Sequence, residues 1–424
     1  MNGAQVNHAD SIATGLALPL WTVLPFIGFL LSIALLPLFA PAFWSKHFGK
    51  ISAAFGFPVA AWFLLTAPFE LLHTACEYVS FLVLLGSLFT ISGGILLGGS
   101  IRGTPGVNSF FLATGAVLSN LLGTTGASML LIRPLLRANS HRKRSAHVFV
   151  FFIFVVANIG GALTPIGDPP LFLGYLKGVP FFWTARNLWG FWLAATGFVI
   201  AVFYLLDRMA VRSEGDDRSP LPEEPGGRPT LTIAGKRNLL LLGVVIGAVF
   251  LPAPAREAAM LAAAGLSAWK TPAWIRRQNE FTYHPIGEVA ILFAGIFATM
   301  IPALLILKAR GGELGVTEPW HFFWAAGALS SFLDNAPTYL TFFSLAQGMG
   351  GTADVAGVSA PVLQAISAGA VFMGANSYIG NAPNFMVKSI AESSGVRMPS
   401  FFGYMAYSTA ILLPVFAVVT WLFL

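Results

Sequence analysis

Long apolar runs that carry almost no charge constrain this chain more than any other feature of its sequence. The runs at 16–40 and 401–424 contain no Asp, Glu, Lys or Arg, and about 20 apolar residues are enough to cross a bilayer as a helix. They lack the alternation of apolar and polar residues that a membrane β-barrel needs. Only 10% of the 424 residues are charged, against about 25% in soluble domains. The sequence therefore predicts an all-α integral membrane protein.

The apolar runs predict about 10 transmembrane helices. Ala258–Trp269 is the weakest of them because it is short and flanked by charged residues, and an interfacial helix is the alternative there. Two further runs, Phe110–Leu131 and Phe322–Leu345, are long enough to cross but are interrupted by Gly, Pro, Asn and Ser. The remaining predicted helices are Leu16–Ala40, Ile51–Ala67, Tyr78–Gly99, Ala146–Ile166, Leu188–Leu206, Leu239–Pro252, Val289–Leu307, Pro361–Ile379 and Phe401–Leu424.

Lysine and arginine residues orient these helices, since the cytoplasmic loops of membrane proteins are rich in them. Lys46 and Lys50 place the loop after the first helix in the cytoplasm and the N-terminus outside. Counting onward, the loop with Arg102 and the basic cluster at 133–144 both fall in the cytoplasm. One crossing cannot separate two consecutive cytoplasmic loops, so about 108–133 is predicted to be a re-entrant hairpin.

The same count continues through the second half of the chain. The loops 134–147 and 207–236 fall in the cytoplasm, and a second re-entrant hairpin at about 320–346 enters from outside. Each half then has three spans, a hairpin and two spans, and an odd number of crossings inverts one half relative to the other. We predict two inverted-topology repeats in a cell (inner or plasma) membrane, with the boundaries tail 1–15, first repeat 16–206, linker 207–236 and second repeat 237–424.

Two pairs of motifs match between the halves. SNLLGTTGAS from Ser119 aligns with SSFLDNAPTY from Ser330, at an offset of 211 residues. ALTPIGDPPLF from Ala162 aligns with ANSYIGNAPNF from Ala375, at an offset of 213 residues. Gly- and Pro-interrupted segments in matching places of two inverted halves indicate the binding site of a secondary transporter.

The second pair of motifs lies in two helices, about 146–176 and 361–390, that we expect to be broken at the membrane midplane. Broken backbone exposes carbonyls that suit cations and N–H groups that suit anions. A carboxylate at the membrane centre costs about 2.5–3.5 kcal/mol on insertion scales, so Asp168 and Asp334 are predicted to be functional, as sodium ligands. The candidate ion- and substrate-binding residues are Asp168, Asp334, Asn335, Asn158, Asn381, Ser377, Thr124, Thr125, Thr164 and Ser331.

Structural roles are the alternative for several of these residues. A membrane aspartate can cap a broken helix or pair with a buried basic residue. The side chains of Asn158, Asn335 and Asn381 can join helices by hydrogen bonds, and this role competes with ion ligation.

Other classes of function find no support in the sequence. Cys76 is the only cysteine, which excludes a disulfide framework and a multi-cysteine metal site. No nucleotide-binding loop, metal triad or nucleophile motif stands out. We therefore predict no enzyme and no cofactor, with sodium and protons as transported or coupling ions. The net charge of +6 lies mostly in loops, so the expected partners are the lipid bilayer and a small ion, not nucleic acid.

Three stretches, SSFLDNAPTYL, VVANIGGALTPIGDPP and GANSYIGNAPN, resemble the ion transporter superfamily. The similarity is to its NhaD-type sodium/proton antiporters, arsenite permeases and citrate transporters, and it covers nearly the whole chain from about residue 16. It implies two re-entrant hairpins that face two broken helices, a site shared between the halves, and a homodimer with elevator-like movement. The match at Asn158–Asp168 to the NhaD-type broken helix implies cation-binding roles for Asn158 and Asp168.

From these residues and this resemblance we predict a secondary active transporter that exchanges sodium for protons. Both cations compete for Asp168 or Asp334, so that the site holds one or the other. A sodium- or proton-coupled transporter of citrate or another carboxylate is the alternative, with hairpin N–H groups binding the anion. An arsenite-like anion permease is the third possibility.

The topology makes a prediction for Cys76, which lies next to Glu77 at the external end of the third span. A membrane-impermeant maleimide added outside intact cells should label it. Labelling that requires access to the cytoplasmic side would reverse the orientation of every span.

Overall fold

The computed structural model describes most of the chain. Much of the predicted tail 1–15 and of the predicted linker 207–236 lies outside the described residues. The described residues are 11–99, 101–213, 231–349 and 355–424.

Helices joined by short turns make up nearly all of the described structure, which confirms the predicted fold class. The α-helices are α1 (Leu24–Phe39), α2 (Pro41–Thr66), α3 (Pro68–Ser92), α4 (Pro105–Ala138), α5 (Ala146–Val155), α6 (Pro169–Leu176), α7 (Trp183–Ser213), α8 (Arg237–Ala248), α9 (Ala255–Lys270), α10 (Ala273–Gln278), α11 (His284–Arg310), α12 (Pro319–Ser330), α13 (Asn335–Gly348), α14 (Ala360–Met373), α15 (Ala382–Ser393) and α16 (Phe401–Phe423). Short 3₁₀ helices lie at Leu20–Val23, Ile159–Leu163, Gly311–Leu314 and Gly374–Asn376.

Eight helices of the described chain are long and apolar enough to cross a membrane. One of them, Pro105–Ala138, is the predicted first hairpin, and its non-helical residue Gly123 divides it into two arms. Three predicted spans are helices of only 12 to 16 residues in the structure: Arg237–Ala248, Ala255–Lys270 and Ala360–Met373. At 1.5 Å per residue the first of these is about 18 Å long, less than the roughly 30 Å of a bilayer's hydrocarbon core.

The end of the third predicted span differs from the expectation. The helix predicted at Tyr78–Gly99 begins earlier, at Pro68, and ends at Ser92, so Cys76 lies within it with an exposed side chain. Leu96–Gly99 forms a short strand, β1, which pairs antiparallel with β2 at Leu231–Ala234. Backbone hydrogen bonding between the strands replaces the helix there, because Gly93, Gly94, Gly98 and Gly99 follow in quick succession and glycine weakens a helix.

The helix α7 also continues past its predicted end at Leu206 and runs to Ser213. Asp207, expected at the start of the hydrophilic linker, is fully buried in this helix. Its carboxylate accepts hydrogen bonds from His147 and Asn108 and lies 2.6 Å from the Arg142 guanidinium. Paired in this way, the charge is accommodated inside the protein, which hydropathy alone does not indicate.

The first hairpin, Pro105–Ala138, folds back on itself near its middle. Gly123 has φ +74° and ψ 156°, a conformation that favours glycine and that no helix contains. The two arms then touch, since a Cβ added to Gly115 would lie 3.1 Å from Leu131. At the base, Asn108 and Asn139 exchange hydrogen bonds of 3.0 and 2.9 Å. Both ends of the hairpin therefore lie at the same end of the protein.

The second hairpin, 319–348, consists of α12 and α13 joined at Ser331–Asp334. The rings of Phe322 and Phe342 lie 6.4 Å apart across its two arms. Its base packs against the end of α11, where Gly348 approaches the backbone of Leu307 and Lys308 too closely to admit a side chain. The second hairpin thus also starts and ends at one end of the protein.

The two hairpin bases lie near opposite ends of α11. Arg133 of the first hairpin forms a 3.0 Å ion pair with Glu280, just before α11 begins at His284, whereas the second hairpin packs at Lys308. The 27 residues of α11 extend about 40 Å. This arrangement agrees with hairpins that enter from opposite sides of a membrane, and the identity of each side stays a prediction.

The core sits between the hairpins. In α5, every side chain from Val148 to Val155 is fully buried, as expected for a helix that is apolar on all faces. The first hairpin packs on this helix and on α15, and the second hairpin packs on α14 and α6. Each hairpin therefore contacts the broken helices of both halves.

The close packing of the first hairpin predicts the effect of enlarging Gly115. Gly115→Leu should lower the free energy of unfolding by about 1–3 kcal/mol, the cost of overpacking, because its Cβ would collide with Val156. Gly106→Leu is the matched control in the same hairpin, since no atom lies within 4 Å of its added Cβ. Thermal unfolding of the purified variants in detergent measures both, and equal midpoints would contradict the close packing of the hairpin on Val156.

Candidate functional site

The first broken helix unwinds between α5 and α6. A 3₁₀ turn at Ile159–Leu163 follows α5, and the chain becomes extended at Thr164 and Asp168 before α6 starts at Pro169. Proline is favoured in the first helical turn, where a missing N–H costs nothing, so Pro169 and Pro170 define where the second arm begins. Gly161 and Gly167 pass so close that a Cβ on Gly167 would strike the Gly161 carbonyl.

The second broken helix has the same local structure at matching positions. A 3₁₀ turn at Gly374–Asn376 follows α14, and α15 begins at Ala382 after the extended residue Asn381. Gly374 and Gly380 approach each other as Gly161 and Gly167 do. Both breaks arise because tight glycine contacts and the following prolines prevent a continuous helix.

The side chain of Asp168 lies where the hairpins and the broken helices meet. Only 1% of Asp168 is exposed. One carboxylate oxygen accepts hydrogen bonds from the Thr124 hydroxyl at 2.8 Å and from the Asn381 amide at 3.1 Å, and the other oxygen accepts one from the Asn335 amide. These donors come from the first hairpin, the second broken helix and the second hairpin. One carboxylate therefore joins all four segments.

The residues of this cluster occupy matching positions in the two halves. Thr124 and Asn335 are separated by the 211-residue offset of the first motif pair, and Asp168 and Asn381 by the 213-residue offset of the second. A further pair of bonds repeats between the halves: the Thr164 hydroxyl donates to the Asn120 carbonyl, and the Ser377 hydroxyl to the Ser331 carbonyl. The cluster is approximately symmetric, except that one half supplies a carboxylate where the other supplies an amide.

Asparagine side chains extend the cluster away from Asp168. The Asn381 amide also donates to the Asn158 side chain at 3.3 Å, and Asn158 donates to Asn384 at 2.7 Å. The Asn384 amide in turn donates to the carbonyls of Gly374 and Ser377 in the second break. The network is fully buried and ties the first broken helix to the second.

The Asp168 carboxylate accepts hydrogen bonds only from neutral side chains within the described chain. Among the described residues, no Lys, Arg or His lies within 4 Å of its carboxylate oxygens as an ion pair. Helix dipoles contribute instead, because the second arms of both hairpins and both broken helices begin at this point, and helix N-termini favour negative charge. A buried carboxylate held by neutral groups is suited to take up a proton or a metal cation.

A comparison with family models places this chain. One model, described as "Putative citrate transport", matches residues 15–424. The chain belongs to this citrate-transport family. A search of curated proteins found no match. Family membership confirms the resemblance to the citrate-transporter group of the ion transporter superfamily, and it makes the chain a membrane transport protein. The multi-pass architecture follows from its apolar helices.

Asp334, the second predicted carboxylate, precedes Asn335 but makes no hydrogen bond to Asp168 in the described chain. Its side chain accepts a 3.0 Å hydrogen bond from the Ala336 N–H and caps α13. Asp168 and Asn381 make no such cap on their own helices, which leaves their side chains free to reach across the cluster. The structure thus brings Asp168, Asn335, Asn381, Thr124 and Asn158 together. Asp334 caps α13, and its role in ion binding stays a prediction.

The remaining candidates shape the backbone around the cluster. Thr164, Ser331 and Ser377 donate hydrogen bonds to main-chain carbonyls, whereas Thr125 makes no hydrogen bond within the described chain and is half-buried.

Sequence reasoning missed two residues of this site. The Asn120 side chain donates a hydrogen bond to the Gly160 carbonyl and accepts one from the Leu163 N–H. Asn384 accepts a hydrogen bond from Asn158 of the first break and donates one to the Gly374 carbonyl of the second. Both lie within the matching motifs, so a polar residue beside each break was the available signal.

Adjacent threonines provide a matched test of the cluster. Thr124→Val keeps the shape of the side chain but removes a donor to a carboxylate, which is worth about 1.5–3 kcal/mol. We expect a loss of that size in the free energy of unfolding, measured by thermal or denaturant unfolding of the purified protein. Thr125→Val should stay within about 0.5 kcal/mol of the wild type, and a larger effect at Thr125 would contradict the geometry.

Proposed function

We propose that this protein transports citrate or a related carboxylate by secondary active transport, with a proton or a sodium ion as the coupling cation. The observation that carries the proposal is the buried Asp168 carboxylate of the first broken helix, which accepts hydrogen bonds from side chains of both hairpins and of the second broken helix. The family description supplies the substrate class. In the proposed working arrangement the protein is a homodimer in the cell membrane.

The coupling cation is assigned to Asp168. Its partners Thr124, Asn335 and Asn381 are neutral, so they leave one negative charge inside the protein, and burying an unpaired charge is costly. A proton removes this charge and a sodium ion balances it. Asn335 supports the assignment further, since its Oδ1 is buried without a hydrogen-bond partner in the described chain and is an oxygen ligand of the kind that hard cations prefer.

The anionic substrate is assigned to the same region. The helix arms that start at Thr124, Pro169, Asn335 and Ala382 direct their N-termini towards the cluster, and such ends attract carboxylates. With its negative charge, Asp168 opposes the binding of a second anion. Loading the cation first removes this repulsion, which provides a physical reason for coupled uptake.

Movement of a hairpin would expose the site. Asp168 accepts hydrogen bonds from Thr124 in the hairpin of the first half and from Asn335 in the hairpin of the second half. The bases of these two hairpins lie at opposite ends of α11. Separating one hairpin from the broken helices therefore opens the site towards one end, and separating the other opens it towards the opposite end. Alternating access needs two such arrangements.

Sodium/proton exchange without a carboxylate substrate is the second candidate. The neutral surroundings of Asp168 favour it, because a single buried carboxylate that binds either cation is sufficient for exchange. The two candidates are separated by adding sodium in the absence of citrate. Proton movement under these conditions favours sodium/proton exchange over citrate transport.

Proteoliposomes test the proposal through Asp168→Asn. The wild type should accumulate labelled citrate when a proton or sodium gradient is imposed, and the variant should fall to the level of empty liposomes because its amide binds neither cation. Glu288→Gln is the control, since it removes a partly exposed carboxylate outside the cluster and should transport as the wild type.

Counterflow of labelled citrate against unlabelled citrate identifies the cation. Asn resembles protonated Asp, so a proton-coupled protein should retain counterflow in Asp168→Asn, whereas a sodium-coupled protein should lose it. Sodium/proton exchange would be favoured if adding sodium dissipated a pH gradient across wild-type proteoliposomes while neither a proton nor a sodium gradient drove citrate uptake.

A further inference from the structure

A large basic cavity lies far from Asp168, at the end of the protein where the first hairpin has its base. Its volume is about 920 Å³. It is formed by the hairpin base, the loop 139–145, the end of α7 at Ser213, the turn at Glu280 and the segment 394–397 after the second broken helix. Both halves of the chain therefore contribute to its walls.

The described residues that line this cavity are mostly basic or polar. Among the residues that the structure describes, six Lys or Arg side chains and His147 line it, together with one acidic residue, Glu280. Glu280 is already paired with Arg133 at 3.0 Å, and Arg142 with the buried Asp207 at 2.6 Å. The basic residues of the lining are Arg133, Arg137, Arg142, Lys143, Arg144 and Arg397.

Arg133 is the observation that points to a ligand. Its side chain is only 12% exposed, and its Nη1 is buried without a hydrogen-bond partner in the described chain. A buried donor that makes no hydrogen bond costs free energy, more so when it is charged. An anion bound in the cavity would provide the missing acceptor.

A position in a cytoplasmic loop would explain why these residues are basic, but it would not explain why they surround a cavity. Residues that only orient a membrane protein can lie in water, as the exposed Lys46 and Lys50 do. Here the cationic groups surround a concavity instead, and Arg142 is 2% exposed. Concave basic pockets at the ends of membrane helices are suited to phosphate-bearing groups.

We propose that this cavity is a second anion site, separate from Asp168, which takes a compact polyanion carrying two or more phosphate or carboxylate groups. The guanidinium group of Arg397 can bind such a group in a bidentate manner, and Nη1 of Arg133 supplies one further donor. The ligand is either the headgroup of an anionic phospholipid or a soluble polyanion, since both present the same chemistry. Bound there, it joins the base of the first hairpin to the segment after the second broken helix.

The test uses full-length protein and a charge-matched pair of double variants. Arg133→Gln with Arg397→Gln removes two charges from the cavity, and Lys46→Gln with Lys50→Gln removes two charges that are not among the described lining residues of this cavity. Inorganic pyrophosphate is the soluble probe, titrated by calorimetry into protein in a neutral detergent. Vesicles of phosphatidylcholine with and without phosphatidylglycerol are the lipid probe, with thermal stability after reconstitution as the readout.

For a soluble ligand, pyrophosphate should bind the wild type and the lysine control alike and bind the arginine variant roughly ten- to thirtyfold more weakly. For a lipid headgroup, phosphatidylglycerol should raise the melting temperature of the first two proteins but not of the arginine variant. Either result supports the site. The proposal is overturned if the wild type neither binds pyrophosphate nor is stabilised by phosphatidylglycerol. It is also overturned if the arginine and lysine double variants lose the same amount of binding or stabilisation.

Asp168→Asn separates this inference from the proposed transport function. The variant should bind pyrophosphate or respond to phosphatidylglycerol as the wild type does, even though transport is lost. A response that disappears together with Asp168 would show that the anion binds at the transport site and would overturn a separate site in the cavity.

Discussion

The burial of one carboxylate organises the centre of this protein. Asp168 cannot keep a negative charge in an apolar interior unless hydrogen-bond donors surround it, and the donors come from three other segments of the chain. Thr124, Asn335 and Asn381 reach it only if both hairpins and the second broken helix converge on the same point. Satisfying this group therefore fixes how the two halves meet.

The convergence depends in turn on backbone that leaves the helical path at defined residues. Gly123 reverses the first hairpin, and the extended conformations of Asp168 and Asn381 end the two breaks. Irregular backbone is tolerated at membrane depth only where protein or water satisfies it. The Asn120 and Asn384 side chains provide this, because they bond the carbonyls that the breaks expose.

The asymmetry of the cluster has a consequence for transport. In matching positions the first half supplies Thr124 and Asp168, and the second supplies Asn335 and Asn381. A symmetric cluster with two carboxylates would repel itself in so small a space. With one carboxylate and one amide, the two positions form a hydrogen bond, and one positive charge would balance Asp168.

The sequence by itself determined the fold class, the breaks and most of the cluster. Apolar runs identify helices because lipid tolerates no unsatisfied backbone, and Gly, Pro and Asn within the runs mark the breaks at Asp168 and Asn381. Only the tertiary structure decided which polar side chains meet. Asp334 and Asp168 look equivalent in sequence, yet one caps its own helix and the other bonds across the halves. That choice depends on side-chain direction and on distances between segments about 170 residues apart, which local pattern does not encode.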